Sequence, residues 1–193
     1  METVQASTTR FMIDTAASKF TVQAIASGLL SSFGHSPTFA IRDFDGAAVF
    51  QPDAPESASL RLKIRTSSLS VQDNVKEKDK QEIEETMHKE VLETEKYPEI
   101  IFETSRVAAT KTGDGEYRAD ISGTLNLHGV TKNHTITANL SVKGDILRAT
   151  GSFALRQTDY GIKPVSAAAG ALKVKDEVKF FFDIQARRSA LTT

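Results

Sequence analysis

Alternation with a period of two runs through most of the chain, and one charged segment with a period near four interrupts it. Between Lys19 and Ala26, Phe20, Val22, Ala24 and Ala26 alternate with polar Thr21 and Gln23, as in a strand that buries one face. The same alternation sets Leu60, Leu62 and Ile64 against Arg61, Lys63 and Arg65, and recurs from Tyr117 to Leu127. It predicts further strands at Glu99 to Thr104, His134 to Val142, Ile146 to Leu155 and Val178 to Ala186, with Lys143-Gly144-Asp145 as a hairpin turn. The interruption runs from Asp73 to Lys96. There Ile83, Met87 and Val91 recur at steps of four with Leu92 beside them, which predicts a helix with one narrow apolar stripe. Asn74 and Glu77 read as a capping box, Glu85 and Lys89 as a pair one turn apart, and Tyr97-Pro98 as the stop.

Short strands joined by tight turns predict a mainly β, antiparallel meander. Long half-exposed strands favour closure into a barrel, because an open sheet would leave edges free to pair with other chains; a two-sheet sandwich is the alternative. At 193 residues the chain suits one domain, taken as 1–193. The faces predicted to point inward carry small residues, including Ala24, Ala26, Ala119, Gly123, Ala138, Ala149 and Gly151, among larger ones. An eight-stranded barrel with such a lining has room for a slender ligand unless its 11 phenylalanines fill the space. In the helical segment, nine acidic side chains against five lysines make a solvated face, leaving the apolar stripe to pack on a core or to act as a lid.

Charge and composition narrow the function. With 24 basic and 25 acidic residues the net charge is -1, so no global field favours nucleic acid or an anionic membrane surface. The absence of cysteine excludes disulfides, thiol catalysis and thiolate metal sites. No stretch approaches the ~20 apolar residues of a transmembrane helix. METVQASTTRFMIDT lacks a basic region followed by an apolar one, so the chain reads as cytoplasmic as it stands, and as periplasmic if a signal peptide has been removed. The four histidines, His35, His88, His128 and His134, show no metal-ligand spacing. Asp43 and Asp45 are a carboxylate pair, read more simply as part of a turn at a strand edge. There is no nucleophile elbow, phosphate-binding loop or dinucleotide fingerprint, and nothing in these patterns requires an enzyme.

Motifs in order along the chain carry a resemblance. Phe33-Gly34-His35-Ser36, Asp43-Phe44-Asp45-Gly46, Leu125-Asn126-Leu127-His128-Gly129-Val130-Thr131 and Asp159-Tyr160-Gly161-Ile162 resemble the YceI-like proteins. Asp79, Glu82-Ile83, Met87-His88 and Tyr97-Pro98-Glu99-Ile100 match in the centre, and the resemblance extends from Phe11 to Arg187. It implies an extended, lipocalin-like antiparallel eight-stranded β-barrel, with the charged amphipathic helix packed at the barrel and bounding a hydrophobic tunnel. It implies as ligand a polyisoprenoid such as a polyprenyl pyrophosphate or a ubiquinone-type lipid, held without catalytic groups and with no other cofactor. Strand parity and the resemblance together select Phe20, Phe33, Phe39, Ile83, Met87, Leu127, Phe153 and Phe180 for the tunnel lining. His35, His128, Asp159 and Tyr160 are the candidates to bind a head group at the mouth.

The leading expectation is therefore non-enzymatic binding, sequestration or transport of a long-chain isoprenoid lipid, or of another long apolar molecule. The alternative is a metal-dependent hydrolase or other enzyme using His35, His128 and nearby carboxylates at the barrel mouth. A third reading is a structural stress protein whose binding is incidental. A homodimer partner would cover an exposed strand edge or an apolar mouth, although no residue pattern establishes one.

Overall fold

The period-two segments become strands, and the strands close on themselves. The structure, a computed structural model, describes residues 9–27, 36–167 and 172–189. In chain order its elements are β1 (Arg10–Ile13), β2 (Lys19–Ser27), β3 (Thr38–Ile41), β4 (Phe44–Val49), β5 (Ser59–Arg65) and β6 (Leu69–Val71). Helix α1 (Glu77–Thr86) follows, then β7 (Glu99–Gly113), β8 (Glu116–Leu127), β9 (Val130–Lys143), β10 (Ile146–Arg156), β11 (Ser166–Ala167) and β12 (Leu172–Arg188). Antiparallel pairing runs β1-β4-β5-β7-β8-β9-β10-β12, and Phe11 opposite Arg188 returns the ring to β1. The fold is a closed eight-stranded antiparallel β-barrel with one helix.

Three of the eight staves are bent. β1 and β2 lie end to end along β12, and β3 with β4 and β5 with β6 form bent strands in the same way. The bends sit side by side, so their freed backbone groups satisfy one another. The Thr15 hydroxyl donates to the Phe44 carbonyl at 2.6 Å, and the Arg65 N–H donates to the Asp43 carbonyl at 3.0 Å. Asp43 thus marks a bend and pairs with Arg65 across the surface at 2.9 Å.

The later staves are long and regular. Along β8, Tyr117, Ala119, Ile121, Gly123, Leu125 and Leu127 are all buried, while Arg118, Asp120 and Thr124 are exposed. Gly123 is required where β7 bulges between Thr104 and Arg106, since a Cβ there would lie 2.2 Å from the Glu103 carbonyl oxygen. Outward-facing pairs such as Arg148 with Asp183 and Arg61 with Glu103 decorate the wall. Exposed pairs of this kind stabilise by less than about 1 kcal/mol each.

The helical segment is shorter than its pattern predicts. Asp73, expected at its start, instead accepts the Thr38 N–H at 2.6 Å and so belongs to the edge of β3. No capping box forms, because Lys76 is the N-cap and makes no side-chain bond; Glu77 and Asp79 fall in the first turn, where the helix dipole favours them. The Glu85–Lys89 pair does form, at 2.5 Å. After Thr86 the chain widens into a π-helical turn, Met87–Val91. That wider turn brings Val91 and Leu92 onto the core side with Ile83 and fully buried Met87. Among the described residues no helix is long and apolar enough to cross a membrane.

Candidate functional site

The inward faces of the eight staves enclose an apolar cavity of about 150 Å³. Among the described residues Ser59 is the one polar residue in its lining; the others are Ile, Leu, Val, Ala and Phe from every stave. Small residues make the room: Ala119 and Ala138, opposite each other on β8 and β9, are essentially inaccessible to solvent, and Ala149 lines the cavity from β10. Aromatic rings take part of it back. Phe153 and Phe180 stack in parallel with centroids 4.7 Å apart, while Phe20 meets Phe44 edge-on at 5.9 Å and Phe180 at 6.2 Å.

Of the side chains selected for the lining, Phe20, Leu127, Phe153 and Phe180 border this cavity. Phe39 and Met87 are buried in the core and Ile83 packs on it, but none of the three lines the cavity. Phe33 lies outside the described residues, as does His35. Phe182 and Ile184 share the parity of Phe180 and also line the cavity, so the alternation in Val178 to Ala186 already contained them.

The helix explains where Met87 goes. Stave β5–β6 pairs with β7 only through β5, from Arg61 opposite Glu103 to Arg65 opposite Glu99. Beyond the bend, β6 has β3 on one side and no strand on the other. α1 fills that place: the Glu84 carboxylate accepts the Val71 N–H at 2.7 Å, and Met87 is buried in the core. The helix therefore seals a seam in the wall.

His128 belongs to the same seal. His128 and Gly129, with φ of 52° and 75°, form the two-residue turn between β8 and β9 that matches the strands' twist. The imidazole packs on Tyr97 with centroids 4.1 Å apart, and its Nε2 lies 2.8 Å from a carboxylate oxygen of Glu93. The approach is close, but it does not have the geometry of a formed hydrogen bond. Glu93, itself at φ 44°, terminates the helical segment. His128 latches that segment to the β8–β9 turn; it does not border the apolar cavity.

Asp159 and Tyr160 lie elsewhere, at a second seam. The β9–β10 ladder stops at Gly151 opposite Ala138, leaving β9 before Ala138 and β10 after Gly151 without mutual pairing. Between them is a polar recess of about 210 Å³, bordered by Lys132, His134, Arg156, Asp159, Tyr160 and Glu177 among others. Leu155 borders both the recess and the apolar cavity. His134 meets cavity-lining Phe153 edge-on at 5.2 Å; its Nε2 is buried without a hydrogen-bond partner, and burial lowers its pKa. Tyr160 is 3% exposed, and burial, helped by the Asp159 charge, raises its pKa. Lys132 reaches across to Asp159 at 3.7 Å, and Arg156 pairs with Asp176 at 3.0 Å. His134 and Lys132 were not selected for a site, although His134 shares strand parity with Ile136, Ala138 and Leu140 and so faces inward. Among the described residues no three His, Asp or Glu side chains are grouped as a metal site.

Comparison with known proteins agrees with this architecture. Residues 11–186 match the model of the YceI-like domain. A UPF0312 protein of Pseudomonas savastanoi pv. phaseolicola is 34% identical over 165 residues, covering 82% of this chain and 79% of the relative. A UPF0312 protein of Pseudomonas aeruginosa is 38% identical over 127 residues, 63% of this chain and 61% of the relative. Among solved structures, Burkholderia cenocepacia BcnA superposes with a TM-score of 0.71 at 18% identity, over 90% of this chain and 98% of that one. A polyisoprenoid binding domain from Saccharophagus degradans gives 0.61 at 14% identity, over 93% and 98%.

Proposed function

The chain belongs to the YceI-like family, and we propose that it binds, sequesters or carries a long-chain isoprenoid lipid in its barrel, without catalysis. The observation that carries the proposal is the cavity wall, apolar on every stave with Ser59 the one exception among the described residues. Burying an isoprenoid tail there gains roughly 25 cal/mol per Å² of apolar surface and needs no charged partner. The likeness to a polyisoprenoid binding domain supports the same class of ligand.

A void of about 150 Å³ is on the scale that accepts one benzene-sized ring. A chain of several isoprene units therefore enters by moving aromatic side chains, chiefly the Phe153–Phe180 stack and Phe20.

Native mass spectrometry and organic extraction of protein purified from its host test the reading. A stoichiometric apolar lipid is the expected result. Protein recovered empty, with no uptake of prenyl lipids from detergent, refutes it.

A further inference from the structure

We infer that the seam between β9 and β10 holds the head group of the bound lipid, and that this head group is uncharged and bears oxygen, as in a prenyl alcohol or a quinone. The inference rests on the lipid-binding reading and assigns it a second subsite. Three observations place the polar end there.

The wall is open at that point for a structural reason. Gly151 and Ala138 end the β9–β10 ladder, and a Cβ on Gly151 would come within 2.7 Å of both the Thr137 carbonyl oxygen and the Phe182 ring. Only a glycine permits that close approach. Past Gly151 the two strands no longer pair, and the exposed Lys132–Asp159 ion pair spans the gap.

The recess also continues the lumen. Leu155 is common to both spaces, and His134 abuts Phe153 from the recess side. Along the inward face of β9, Leu140, Ala138 and Ile136 give way to His134 and then Lys132, so the lining turns polar at the opening. A chain packed against Phe153 can thus extend its terminus into the recess.

The polar groups there suit a neutral partner. Tyr160 is a buried residue bordering the recess, and the buried Nε2 of His134 has no hydrogen-bond partner. A neutral phenol and a neutral imidazole can each donate to a carbonyl or share a hydroxyl. Two cations, Lys132 and Arg156, face two carboxylates, Asp159 and Glu177, so the recess has no excess positive charge for a diphosphate. Placing such an anion beside both carboxylates would cost affinity that no unpaired cation returns.

The test uses the full chain stripped of lipid and titrated calorimetrically with geranylgeraniol, geranylgeranyl diphosphate and headless squalene in one detergent. The alcohol should bind at least about tenfold tighter than the diphosphate. Tyr160→Phe should weaken the alcohol by about three- to tenfold and leave squalene unchanged. Asp159→Asn, which frees Lys132, should strengthen the diphosphate several-fold. A diphosphate that binds more tightly than the alcohol overturns the neutral head group. Alcohol binding indifferent to both Tyr160→Phe and His134→Leu, in variants with unchanged thermal midpoints, overturns the seam as its site. Failure of all three ligands to bind instead refutes the lipid-binding reading beneath it.

Discussion

Among the described residues the barrel wall parts in two places, and the two partings are finished differently. Where β6 leaves β7, α1 and its π-helical turn supply a buried Met87, a Glu84 acceptor for the Val71 amide and the His128–Glu93 latch. Where β9 leaves β10, the exposed Lys132–Asp159 pair crosses the gap, and His134 keeps a buried ring nitrogen without a partner, as His88 and His128 do at the first parting. Unpaired strand edges must be covered or satisfied. One edge is covered by a dedicated element, whereas the other is left to be completed by something that is not part of the barrel. The first parting therefore carries stability, and the second is where binding is proposed.

The largest effect should come from breaking the sealed parting. Met87→Asp puts a carboxylate in the core with no partner and should lower stability by about 3 kcal/mol or more, read from denaturant unfolding. Phe153→Ala comes next, since it removes a ring from the stack at the open parting. A loss of about 2–3 kcal/mol is expected, together with a shift of the bound lipid toward bulkier chains by native mass spectrometry. Glu84→Ala removes the Val71 acceptor; about 1 kcal/mol should be lost, and hydrogen exchange at that amide should accelerate.

Acid should act on the open parting through His134. Its pKa in the fold is lowered by burial, so the unfolded chain takes up the proton first as the pH falls. The contribution of neutral His134 is complete above the ordinary imidazole value of 6.5 and is lost between that value and the lower folded one. The thermal midpoint should fall over this interval in the parent and fall less in His134→Gln. Lys132, Asp159, Arg156 and Glu177 border the same recess and face His134. The smallest change is Lys132→Ala: an exposed pair worth less than about 1 kcal/mol disappears, stability hardly moves, and lipid exchange should quicken.

Some of this was legible beforehand because period-two patterning reports directly which face is buried. Tyr117 to Leu127 alternates without exception, and its register against β9 follows once the His128-Gly129 turn is placed. The bend at Arg42-Asp43 was legible as a turn at a strand edge, whereas those at Asp14–Ser18 and Thr66–Ser68 left no such trace, since each is satisfied by hydrogen bonds to neighbouring staves. The helix was visible as a stripe, yet its start was misplaced because Asp73 found a better partner in Thr38 of β3 than in a helix cap.

What the sequence determined by itself was therefore local: which segments are strands, which side chains face inward, and that one amphipathic helix must dock. Where that helix docks, and that Met87 closes a wall rather than lining a tunnel, depended on β6 running out of partners. The gathering of Lys132, His134, Asp159 and Tyr160 around one opening depended on a ladder that ends at Gly151 and Ala138. Alternation fixes the face of each residue on its own strand. Only closure of the barrel decides which neighbouring edges remain unpaired, because that depends on the register and curvature of all eight staves together.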